Sequence, residues 1–154
     1  MSISTVEELD AVFIDAFSEV ISTSTGVALE LISSESDPGF FDVTAGINLS
    51  GNKQGMLFIS AAHDTALTLC SYMTGVMKED ATEEDIIDAM CEFANMTAGN
   101  AKLRLGNSEF LFSLSSPFVI EGKEMSITTK RKVHVLSTTF SCNDFSIKMK
   151  LILV

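Results

Sequence analysis

Hydrophobic periodicity switches repeatedly between helical and strand spacing along these 154 residues, and that alternation limits the possible folds more than any single motif. Val6, Leu9, Val12, Phe13, Phe17, Val20 and Ile21 recur at spacings of three and four, which predicts an amphipathic helix over residues 5–23. Thr5 and Glu8 make a capping-box pattern at its start, and Gly26 is its stop. Gly26–Ser33 then reads as a strand and SSESDPG as a turn. VTAGINLS and GMLFISAA, joined by GNKQ, read as an antiparallel hairpin. A shorter helix is expected over His63–Val76, and the longest over residues 83–105 before Gly106. FLFSLSSPFVI, KVHVLSTTF and FSIKMKLILV return to β, with Pro117 at a strand end or bulge because it donates no ladder hydrogen bond.

The order helix, three strands, two helices, three strands contains a repeat. At an offset of 73 residues Asp15 aligns with Asp88, Glu19 with Glu92, Phe13 with Ile86, Ile14 with Ile87, Phe17 with Met90 and Val20 with Phe93. Each long helix is followed by a strand, a proline and two more strands. The expected fold is therefore α+β: two long helices on one face of an antiparallel sheet of about six strands, one shorter helix, and pseudo-repeated halves. The two copies differ at one chemically important place, where Ser22 stands opposite Asn95.

Composition narrows the function. With 46% hydrophobic and 20% charged residues, residues 1–154 are expected to form a single domain around one core. Twenty-one acidic residues against ten basic ones give a formal charge of −11, which repels phosphate backbones and anionic headgroups; no nucleic-acid or membrane partner is expected. No apolar run approaches the ~20 residues of a membrane span, and MSISTVEELD lacks the features of a signal peptide, so a cytoplasmic location is expected. Cys70, Cys91 and Cys142 form no CxxC pair and read as buried thiols. His63 and His134 have no metal-ligand spacing, and Asp64 reads as a helix N-terminal cap. The acidic run KEDATEEDIID complements the dipole of the long helix and lacks a Ca²⁺-loop pattern. No Walker loop, GxGxxG or GxSxG is present.

At 100° per residue, Asp88, Glu92, Asn95, Gly99 and Lys102 fall in one stripe of the long helix. Ile86, Met90, Phe93, Ala94, Thr97 and Ala101 lie opposite, so the polar stripe is expected to face outward. Asn95 and Gly99 are poor helix formers, Gly by roughly 1 kcal/mol relative to Ala, and Gly99 clears side-chain bulk from the line. On periodicity alone this reads as an ordinary solvated face with two poor helix formers.

The segment DAMCEFANMTAGNAK resembles the signature helix of the CheC/CheX/FliY phosphatases: an Asp or Ser, Glu, Asn, and a proline some twenty residues later, here Asp88, Glu92, Asn95 and Pro117. INLSGNKQGMLFIS and SSPFVIEG are similar to the family as well, so the resemblance covers most of the chain. Because the first helix has Ser22 in place of the amide, one active site per chain is expected, which resembles the CheX branch.

The resemblance implies a substrate, the aspartyl phosphate of a CheY-like phosphorylated response regulator, whose receiver domain brings its own Mg²⁺ and lysine; no cofactor of the chain itself is expected. It further implies that Asn95 positions the attacking water and that Glu92 pairs with the receiver lysine. Asp88 either hydrogen-bonds within the helix or touches the partner, Gly99 lets the partner approach, and Lys102 is solvated or makes a peripheral contact. Pro117 would shape the backbone. A homodimer through joined sheets is also implied, and exposed alternation in the C-terminal strand is compatible with edge pairing there. The alternative is a non-catalytic adaptor binding a receiver or motor protein on the same fold.

Overall fold

The computed structural model describes residues 3–34, 39–130, 132–142 and 145–154. In chain order these form α1 (Val6–Thr25), β1 (Glu30–Ser33), β2 (Val43–Gly51), β3 (Gln54–Ala61), α2 (His63–Thr74), α3 (Glu83–Leu105), β4 (Phe112–Leu114), β5 (Phe118–Glu121), β6 (His134–Cys142) and β7 (Phe145–Leu153). The expected α+β architecture is present, with seven strands where about six were expected. Pro117 is the reason. FLFSLSSPFVI is broken there into β4 and β5, which pair with opposite ends of β2. At the break Ser115 takes over, its amide donating to the Asn48 carbonyl at 3.0 Å and its Oγ accepting from the Asn48 amide at 2.9 Å.

Local chemistry accounts for the helix ends. The Thr5/Glu8 box closes α1, and Gly26 ends it in the left-handed region. A second box, Thr82 with Asp85, starts α3. Asp64 does not cap α2: the N-cap is Ala62 with no side-chain bond, and Asp64 lies inside the first turn, where it acts on the dipole alone. The first strand starts at Glu30, not at Gly26, and Val27 is buried in the link from α1. Most of the SSESDPG segment, including Pro38, lies outside the described residues.

The sheet is antiparallel, in the order β1-β6-β7-β3-β2 and then β4 and β5. Outward from the central β3–β7 pair, β2 and β5 flank one side, and β6 and β1 the other. The order thus reads alike from either end, as duplicated halves require, and each half lends its outer strand to the other. Val43 of β2 corresponds to His134 of β6, an offset of 91. β7 is central, hydrogen-bonded to both β3 and β6. Its backbone is fully used, so the C-terminal strand is no free edge; the outer strands are β1 and the β4/β5 line.

α1 and α3 cover one face. Val43, Ala45, Ile47 and Leu49 of β2, Leu57 and Ile59 of β3, and Ile147, Met149 and Leu151 of β7 point toward them and are buried. Phe13 of α1 stacks on Phe112 at 5.9 Å between centroids, and Phe17 meets Phe140 edge-on at 5.1 Å. Part of the other face is covered too. Phe40 lies against Phe58, its amide donates to the Met125 carbonyl, and the Lys150 ammonium sits 4.8 Å from the Phe40 ring centroid. Gly46 allows this packing, since a Cβ there would stand 2.6 Å from the Phe118 ring. Cys70 is buried, whereas Cys91 and Cys142 are only half-buried. Both histidines pair with carboxylates, His63 with Glu83 at 2.9 Å and His134 with Asp10 at 2.8 Å.

Candidate functional site

Twenty-three residues of α3 rest on the sheet through Ile86, Ala89, Met90, Phe93, Ala94, Thr97, Ala98 and Ala101. Small residues dominate the second half of this list, which lets the helix axis lie close to the strands. That anchoring decides which way the polar stripe points: Asp88, Glu92 and Asn95 are exposed, and Gly99 and Lys102 are half-buried. Glu92 and Asn95 are three residues apart, placing their Cβ atoms about 5–6 Å from each other on one turn.

Among the described residues, Asp88, Glu92 and Asn95 make no side-chain hydrogen bond or ion pair, so all their polar capacity is free for an external partner. The bond within the helix that Asp88 could have made is not formed. A Cβ at Gly99 would meet nothing within 4 Å, so the ground one turn beyond Asn95 is open. Lys102 lines a shallow groove of about 400 Å³ beside the helix, with Ser50, Asn52, Ser108 and Leu111. The carboxylates of Asp88 and Glu92 also act on their neighbour: burial first, and then these charges, push the Cys91 thiol up from its ordinary value.

The corresponding stripe on α1 is different. Asp15, Glu19 and Ser22 are exposed, but Glu19 is taken by an ion pair with Arg104 of α3, which Asn100 also holds through its Oδ1 at 2.7 Å. The Ser22 position therefore lacks the amide, and its carboxylate neighbour is engaged inside the molecule. Sequence spacing could not show the Arg104–Glu19 contact, because the two residues lie 85 positions apart.

Asp88, Glu92 and Asn95 do not line the groove beside Lys102. A cavity of about 330 Å³ lies elsewhere, between α2 and the start of β7, lined by Asp64, Thr68, Tyr72 and Phe145 among others. Among the described residues no three His, Cys, Asp or Glu side chains converge on a point that could hold a metal ion, and no helix is long and apolar enough to cross a membrane. Glu92 and Asn95 are exposed and line neither of these two cavities, an arrangement that does not enclose a small molecule.

Fold and site together define an α+β protein that presents an unengaged carboxylate and amide on an exposed helix face. Residues 43–141 match the family model described as chemotaxis phosphatase CheX, and the chain belongs to that family. The matched span contains all of α3 and leaves α1 outside. The CheY-P phosphatase CheX of Thermotoga maritima is 29% identical over 104 residues, 67% of each chain. The structure is similar to that of the chemotaxis protein CheX from Desulfovibrio desulfuricans, with a TM-score of 0.82 and 24% identity over 96% of this chain and 99% of that one. It is also similar to a chain of the CheX-CheY-BeF3-Mg²⁺ complex from Borrelia burgdorferi, with a TM-score of 0.77 and 25% identity over 93% and 96%.

Proposed function

We propose that this chain hydrolyses the aspartyl phosphate of a CheY-like receiver domain by inserting the Glu92–Asn95 turn of α3 into the receiver's phosphorylated pocket. The observation that carries this reading is the pair itself: an amide and a carboxylate on one outward helical turn, both unengaged, beside the bare backbone of Gly99. The names of the Thermotoga relative and of the Borrelia complex support the same partner.

The chemistry needs little else from this chain. In an acyl phosphate the leaving group is a carboxylate, and the receiver supplies Mg²⁺ and a lysine around the phosphoryl oxygens. Water attacks phosphorus in line, the bond from phosphorus to the aspartyl oxygen breaks, and inorganic phosphate and a free carboxylate result. The Asn95 carbonyl oxygen accepts a hydrogen bond from that water and so fixes its direction, which is catalysis by positioning. An amide does this without placing negative charge against the phosphoryl oxygens. Glu92, one turn earlier, pairs with the receiver lysine and sets the docking register. Both side chains stand on a helix whose other face is packed, which holds them better than a loop would.

Gly99 gives a steric check. Because its surroundings are empty, Gly99→Gln is expected to fold normally and to gain about 0.5 kcal/mol from helix propensity. The added side chain stands where the receiver must approach, so KM for the phosphorylated receiver is expected to rise at least fivefold. Thermal melting and steady-state kinetics check the two halves of this prediction. For the joined-sheet homodimer that the family resemblance implies, we propose the outer strand β1, where Leu31 and Ile32 are exposed, as the seam. Sedimentation showing only monomer at tens of micromolar would remove that proposal.

The reading as a whole is tested by following phosphate loss from a receiver phosphorylated with acetyl phosphate, with and without a tenth of an equivalent of this chain. Several turnovers per molecule are expected. Binding with no acceleration would make the chain an adaptor.

A further inference from the structure

Leu103 is the most exposed large apolar side chain among the described residues, at 84%. It lies eleven residues beyond Glu92, and eleven steps of 100° return to within about 20° of the starting direction. Leu103 therefore extends the Glu92 line toward the C-terminal end of α3. Between the two, on that line, stands Gly99, with open space above it. The line reads carboxylate and amide, bare backbone, leucine.

The surroundings of Leu103 favour an apolar contact. Arg104, its neighbour in sequence, is turned to Glu19 and Asn100, so its charge is already paired. On the other flank, the groove beside Lys102 is floored in part by Leu111, itself 40% exposed. A single exposed leucine on a surface is ordinary. One aligned with two unengaged polar groups, and separated from them by a glycine, forms a continuous surface with them.

We propose that Leu103 is a second anchor for the phosphorylated receiver: an apolar side chain on the receiver, about 12 Å along the α3 axis from the point where Asn95 meets the phosphoryl group, seats against it. This rests on the receiver-phosphatase reading above. A surface of the receiver that meets Glu92 and Asn95 passes over Gly99 without obstruction and reaches Leu103 next. Leu103 then carries affinity and choice of receiver, while Asn95 carries the chemistry.

The test uses the full chain and a CheY-like receiver loaded with beryllofluoride and Mg²⁺, titrated by fluorescence anisotropy, alongside dephosphorylation kinetics. Leu103→Ser is expected to weaken binding about tenfold and raise KM to match, with kcat within twofold of wild type and an unchanged melting curve. Leu103→Met, which restores apolar bulk, is expected to bind within twofold of wild type. If wild type turns over the phosphorylated receiver and Leu103→Ser binds equally well, the anchor is overturned and the phosphatase reading stands. If wild type binds without turnover, the phosphatase reading fails, and the Leu103→Ser affinity still decides the anchor. Absence of any binding by wild type overturns both.

Discussion

Asn95→Ala is expected to lower kcat for dephosphorylation of the receiver by about 10²- to 10³-fold, the usual cost of one preorganised hydrogen-bonding group in a transition state. Binding of the beryllofluoride-loaded receiver should change by less than threefold, because the amide's main contact is a water and not the partner. The loss cannot be ascribed to unfolding. Asn95 is exposed and makes no hydrogen bond within the chain, and alanine is the better helix former by roughly 0.5 kcal/mol, so the variant should melt at or slightly above the wild-type temperature. Asn95→Asp separates shape from charge. It keeps the outline of the amide but brings a negative charge to the phosphoryl oxygens, and its kcat is expected to fall as far. Kinetics at saturating receiver, together with calorimetric melting, check all three statements.

Glu92→Ala should instead damage both binding and turnover, with kcat/KM falling roughly 30- to 150-fold. Removing one member of a desolvated, hydrogen-bonded ion pair at an interface typically costs about 2–5 kcal/mol, and we place this pair at the lower end because Glu92 is exposed. Salt dependence distinguishes this role from a structural one. Raising ionic strength should weaken wild-type binding and leave Glu92→Ala nearly unaffected, since the screened interaction is already absent. Glu92→Gln, which keeps length and loses charge, is expected to fall between the two. An equal salt dependence for wild type and Glu92→Ala would mean that Glu92 meets no cation on the partner.

What could be read from the sequence was what is local. The Thr5/Glu8 box, the Gly26 stop and the span of α3 follow from side chains a few residues apart, and the helical period alone placed Glu92 and Asn95 on the outer face. The repeat was visible in the helices at an offset of 73 but not in the strands, where β2 corresponds to β6 at an offset of 91. The longer connection from α3 to β6 shifts the second register, so no single offset aligns both elements. Long-range pairings stayed out of reach. Nothing near the C-terminus distinguishes a central strand from an outer one, and the alternation of the C-terminal strand is compatible with an exposed edge. Lys150 is in fact buried beneath Phe40, a residue more than a hundred positions away.

At the candidate site, the direction in which side chains point was legible and their availability was not. Glu19 and Glu92 occupy equivalent positions in sequence, yet Arg104 reaches one and nothing in the described chain reaches the other. Leu103 escaped the sequence reading because a leucine in a helix counts by default as core; only its 84% exposure sets it apart.

The most direct measurement is the structure of this chain bound to a receiver carrying beryllofluoride and Mg²⁺. The account predicts α3 seated in the receiver's active site, with the Asn95 amide hydrogen-bonded to a water in line with the beryllium and Glu92 paired with the receiver lysine. A complex in which the receiver is held elsewhere on the chain, with Glu92 and Asn95 left facing solvent, would contradict it.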